Sequence, residues 1–123
     1  MIDKKAIKKQ YKQSLTPMGI YQVTNTVNGK IFIGKAMNLP GKLNSVSFQL
    51  AQGAHMCREL QADYVRMGKD KITVAVLDYL EPKNDPTYDY ANDLQTLEEI
   101  WLEKLQPYGD KGYNTRRRKT VSP

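Results

Sequence analysis

A single cysteine in 123 residues, Cys57, rules out an intrachain disulfide and any cluster of thiolate metal ligands. Its simplest place is as a small core residue. No apolar run approaches the length of a bilayer-spanning helix, and lysines interrupt the N-terminal apolar residues too often for a secretion signal. Cytoplasmic residence without a membrane partner is the expectation. Internal repeats and low-complexity stretches are absent, and the length suits one domain rather than two.

Positive charge is plentiful, and its placement matters more than the net value of +6. Lys4, Lys5, Lys8, Lys9 and Lys12 stand against Asp3 at one end, and Arg116, Arg117, Arg118 and Lys119 crowd the other. Each end contributes +4, which leaves the body at −2. Such arms suit holding a phosphate backbone without reading its sequence, or simply keeping the protein solvated. The chain divides accordingly into a basic helical extension over 1–17, a domain over 18–115 and a basic tail over 116–123.

The rest is organised around residues 19–34, GIYQVTNTVNGKIFIG. Two runs rich in Ile, Val, Thr, Tyr and Phe flank Asn28-Gly29, the dipeptide suited to a two-residue type I′ turn, and predict an antiparallel hairpin. Centring that turn pairs Val27 with Lys30, Asn25 with Phe32 and Val23 with Gly34. Tyr21, Val23, Asn25, Lys30, Phe32 and Gly34 then share one face, and Ile20, Ile31 and Ile33 the other. Gly34 leaves room for an approaching group beside the two aromatics.

Residues 3–15 predict a short helix with Ile7, Tyr11 and Leu15 on one stripe, closed at Thr16-Pro17. Asn38 is placed to cap a second helix with Pro40 in its first turn; Leu43, Val46 and Leu50 form its apolar side, and Gly53 stops it. Lys42 falls in that first turn, where the helix end disfavours a cation by about 0.3–1 kcal/mol unless an anion is bound. A third helix over 55–67 places Met56, Cys57, Leu60, Tyr64 and Met67 on a common face. His55 would then stand opposite that face, at the helix start. The nearly continuous apolar run 72–80 reads as a central strand.

The long loop after it, over 81–93, reads as a mobile surface segment, or a lid. In the last helix Asn92 caps and Gln95 reaches back, with Leu94, Leu97, Trp101 and Leu105 as the stripe. Glu98 lies ~55° from the centre of that stripe, whereas Glu99 lies ~155° away and faces solvent. A carboxylate on the shoulder of a core face needs a partner, and a cation or metal is the natural one. The fold expected is α+β, a small three-stranded mixed sheet flanked by helices in the order β-β-α-α-β-α, plus the N-terminal helix.

GIY at 19–21 and FIG at 32–34, then KAMNLPGK, GAH at 53–55 followed by LQ, and LEEIWLEKLQPYGDKGYN resemble, in order and spacing, the motifs of the GIY-YIG nuclease family. That resemblance implies catalytic roles for Tyr21, Lys42, His55 and Glu98. Glu98 would be the ligand of one Mg²⁺ or Mn²⁺, with Gly19, Phe32, Gly34 and Asn114 lining the site. Lys35, Arg58, Arg116, Arg117, Arg118 and Lys119 would contact nucleic acid. The implied activity is phosphodiester cleavage in DNA, single- or double-stranded, or in RNA.

Two positions depart from the family pattern. Phe32 replaces its second tyrosine and loses the hydroxyl, and Lys42 replaces an arginine whose planar two-pronged phosphate contact lysine cannot make. Val46 also stands where some members carry a further histidine. The alternative is therefore a catalytically impaired nucleic-acid-binding module on the nuclease fold. A third reading, an interaction protein that keeps only the scaffold, gives no reason for Glu98.

Overall fold

The computed structural model describes residues 16–115, so the helix expected over 3–15 and the basic tail over 116–123 lie outside the described residues. Strand β1 (Gly19–Asn25) pairs with β2 (Ile31–Ala36) and with β3 (Ile72–Tyr79), in the order β2-β1-β3. Both pairings are antiparallel, so the sheet is not the mixed one expected. Helices α1 (Leu39–Gln52) and α2 (Arg58–Met67) precede β3, and α3 (Ala91–Leu105) follows it. The β-β-α-α-β-α order stands as expected.

The hairpin register is displaced by two residues from the one the Asn28-Gly29 turn predicts. Val23 pairs with Phe32 and Tyr21 with Gly34. The loop is longer because Asn25 competes for it: its Oδ1 accepts from the backbone N–H of Val27 at 2.9 Å and of Asn28 at 3.3 Å. Gly29 then takes φ 77 late in the loop instead of sitting in the middle of a two-residue turn. A two-residue slip leaves each side chain on its expected face. Tyr21, Val23 and Phe32 accordingly pack with Leu39, Val46, Leu50 and Leu60 from α1 and α2. Ile20, Ile31 and Ile33 pack with Leu97, Trp101, Leu102 and Leu105 of α3.

The apolar run that predicted a central strand is an edge. β1 holds the centre, and Thr73 and Ala75 of β3 are exposed. Continuous apolarity arises instead from a register shift at Ile20/Tyr21, which pairs Tyr21 with Val76 and Ile20 with Asp78. Leu77 is the extra residue, and it joins the α3 side while Val74 and Val76 face α1 and α2. Packing of Val74 and Val76 against α1 and α2 and of Leu77 against the α3 side, not two flanking strands, accounts for the hydrophobic run.

Helix α1 follows its sequence signals closely. Asn38 Oδ1 accepts from the Gly41 N–H at 3.0 Å, Pro40 is in the first turn, and Gly53 closes the helix at φ 73. Helix α2 starts later than expected, at Arg58 rather than 55, and Met56 is 83% exposed instead of joining a buried face. In α3 the cap position is Tyr90, and Asp89, not Asn92, accepts an early backbone N–H, that of Ala91 at 3.0 Å. No helix among the described residues is long and apolar enough to cross a membrane.

Candidate active site

The ring of Tyr21 lies across Gly34, where an added Cβ would stand 2.5–2.6 Å from the hydroxyl and ring carbons. The room that Gly34 leaves is thus filled from within, by the paired residue on β1. Tyr21 is buried, and burial together with the Glu98 carboxylate raises its hydroxyl to about 12. Lys42, half-buried in the first part of α1, places its Nζ 5.8 Å from the centre of the same ring.

Glu98 is 4% exposed, with Leu94 and Leu102, one turn either side, also buried. The buried line of α3 is therefore Leu94-Glu98-Leu102, and Leu97 and Trp101 flank it half-buried. The carboxylate sits on the core line itself rather than on its shoulder. Trp101, half-buried, donates its Nε1–H to Asp78 Oδ2 at 2.9 Å.

His55 was expected exposed at a helix start; it precedes α2 and is buried. Its Nδ1 accepts the backbone N–H of Cys57 at 3.0 Å, a contact that requires the neutral ring with its proton on Nε2. Burial first, and the Lys42 ammonium as well, hold the imidazole below its ordinary value. Gln61 fixes the loop: its Oε1 accepts from His55 N–H at 3.0 Å while its Nε2 donates to the Leu50 carbonyl at 2.9 Å. Phe32 links the two halves of the site, 6.3 Å from the Tyr21 ring and edge-on to His55 at 5.5 Å.

Tyr21, Lys42, Phe32, Gly34, His55 and Glu98 are therefore brought together from β1, α1, β2, the α1–α2 loop and α3. Lys35 shares with Lys42, Asn38, Gly41 and Ser45 an open hollow of about 510 Å³. Gly19 is a ladder position between Ala36 and Tyr79. Arg58 opens on a different groove, the one His55 borders. Asn114 is committed elsewhere: its Oδ1 accepts from Ile33 N–H and its Nδ2 donates to Ile33 C=O, both at 2.9 Å. With the bridge between Ile31 and Gly112, it clamps the segment 112–114 along β2. Arg116, Arg117, Arg118 and Lys119 lie outside the described residues.

Gln61 and Tyr113 escaped the sequence reading as supports. Tyr113 donates its hydroxyl to the buried Asp63 at 2.6 Å and accepts from Asn25 Nδ2 at 2.9 Å, tying the last segment to α2 and β1. A tyrosine beside a glycine carries no periodic signal; only the partners, 50 and 88 residues away, disclose its use.

The fold is shared with solved endonuclease catalytic domains. The catalytic domain of the homing endonuclease I-TevI superimposes with a TM-score of 0.66 at 23% identity, over 81% of this chain and 99% of that one. A variant of the I-TevI domain with one glutamate changed to alanine gives 0.64 at 22%, over 80% and 93%. At that identity the likeness establishes the fold. Neither a family model nor a curated protein sequence matches the chain.

Proposed function

We propose that the protein is a divergent GIY-YIG-type endonuclease that hydrolyses phosphodiester bonds in DNA with one divalent cation. The observation that carries this reading is the meeting of Tyr21, Lys42, His55 and Glu98, brought from four separate segments to one place. Packing alone gives no reason for a carboxylate on the buried line of α3.

The donor set bears on the metal. No group of three or more His, Cys, Asp or Glu among the described residues could enclose an ion. One carboxylate fits a hard cation such as Mg²⁺ or Mn²⁺ that keeps its waters and takes phosphate oxygens. Glu98 would hold it, and the bound ion supplies charge stabilisation worth several kcal/mol as the transition state forms. Lys42 then offers a point charge to a non-bridging oxygen, without the two-pronged geometry of arginine. His55, neutral and protonated at Nε2, donates a hydrogen bond instead of removing a proton. A hydroxyl near 12 makes Tyr21 a donor too; charge compensation at Glu98 lifts the smaller cause of that shift, and burial, the larger, remains.

The test is cleavage of single- and double-stranded DNA and RNA with Mg²⁺ or Mn²⁺, against Glu98→Gln as control. Metal-dependent cleavage that Glu98→Gln abolishes with the fold retained supports the reading; cleavage by both, or by neither, removes it. Phe32 favours the second reading, an impaired nucleic-acid-binding module, because its ring sits between Tyr21 and His55 with no hydroxyl to offer. Salt-dependent DNA binding without cleavage would establish that one.

A further inference from the structure

Residues 16–115 are net acidic and contain only two arginines, Arg58 and Arg66, yet both line the same groove. The groove, of about 640 Å³, has Ala54, Ala62 and Val65 in its wall and His55 on its border. No carboxylate lines it. The acids of α2 are turned away: Glu59 pairs with Lys30, and Asp63 is buried against Tyr113. The geometry points to a track for one strand of DNA, running from His55 along the outer face of α2. This rests on the nuclease reading above, which it extends beyond the reacting phosphate.

Eight residues separate the two arginines, about 12 Å along the helix axis, with Ala62 midway between them. That distance reaches across neighbouring phosphates of one strand. Arg66 donates one Nη2–H bond to Asp63 at 2.7 Å while its side chain stays 69% exposed. The guanidinium is thus held in place with most of its donors outward. Arg58 is the first residue of α2, an end where the helix dipole disfavours a cation unless an anion accompanies it. The wall between them is small and apolar and lacks aromatic rings, which suits sugar and backbone contact without base reading.

Fluorescence anisotropy of labelled single-stranded and duplex oligonucleotides tests the track, using the full chain in EDTA so that cleavage plays no part. Arg58→Gln and Arg66→Gln should each weaken binding severalfold and lower the log–log salt slope by about 1. Val65→Glu, at a position 73% exposed, should weaken binding at least as much without disturbing the fold. The basic ends are common to all variants, so the differences isolate the groove. Unchanged affinity and slope in Arg58→Gln/Arg66→Gln and in Val65→Glu would overturn the track, as would equal competition by polyglutamate. Groove-dependent binding with no cleavage by the unmodified chain sinks only the nuclease reading. Cleavage untouched by the groove variants sinks only the track.

Discussion

Tyr21 and Gly34 are cross-strand partners in which one residue supplies the ring and the other the space for it: a Cβ at 34 would come within 2.5–2.6 Å of the phenol. Both lie in the two triplets, GIY and FIG, that mark the chain at sequence level. The second glycine of the hairpin motif thus serves the first tyrosine. A methyl group there must displace the ring.

Gly34→Ala should cost about 1–3 kcal/mol through overpacking and move Tyr21 out of place. Urea denaturation should show a lower midpoint at unchanged slope. In a Tyr21→Leu background the same change should cost markedly less, since the clash has lost its partner. An equal cost in both backgrounds would mean that the ring is not what the glycine accommodates.

Asn114→Ala should destabilise the protein by about 1–3 kcal/mol, because two backbone groups of Ile33 lose their partners at once. Hydrogen exchange should quicken at Ile33 and along the segment 112–114. Cleavage, where present, should fall only as far as the folded fraction does. A selective loss of rate with stability intact would place Asn114 in the chemistry instead.

Lys42→Arg should raise the cleavage rate, recovering part of the 10²–10³-fold that one missing electrostatic donor costs in other active sites. Single-turnover rates at saturating metal are the measurement. No gain, or a loss, would show a site rebuilt around the ammonium.

Acidity should act through His55, whose folded value lies below the ordinary 6.5. As pH falls, the unfolded chain takes up this proton first, so the contribution is whole above about 6.5 and is lost as pH drops through the folded value. Thermal melts from pH 8 to pH 5 should show the decline, and His55→Gln should reduce it. Tyr21 works at the other end: raised from 10.0 to about 12, it contributes fully below 10 and loses that contribution above it. Tyr21 should therefore add no titration to cleavage between pH 7 and 10, and the profile of Tyr21→Phe should parallel that of the unmodified chain. A tenfold climb per unit, removed by Tyr21→Phe, would make the phenol a base after all.

Local chemistry was the legible part. Asn38, Pro40 and Gly53 delimit α1 as their side chains and backbone freedom require, and alternation sorted the hairpin onto two faces despite a register two residues off. The same reasoning failed where one local signal displaced another or where strand order was decided at a distance. An Asx turn from Asn25 lengthened the loop, α3 took its start from Asp89, and β3 lies at the edge because β1 pairs on both of its own sides.

From residue order alone came the element sequence and the uneven placement of charge, because spacing and side-chain type act over a few neighbouring positions, and the motif resemblance added the candidate residues. Burial of His55 and Glu98, the use of Asn114 as a clamp and the joining of Arg58 with Arg66 in one groove were decided by tertiary structure. Those depend on which distant segment arrives opposite. In a packed interior that arrival sets whether a charge meets water, a partner or an empty wall.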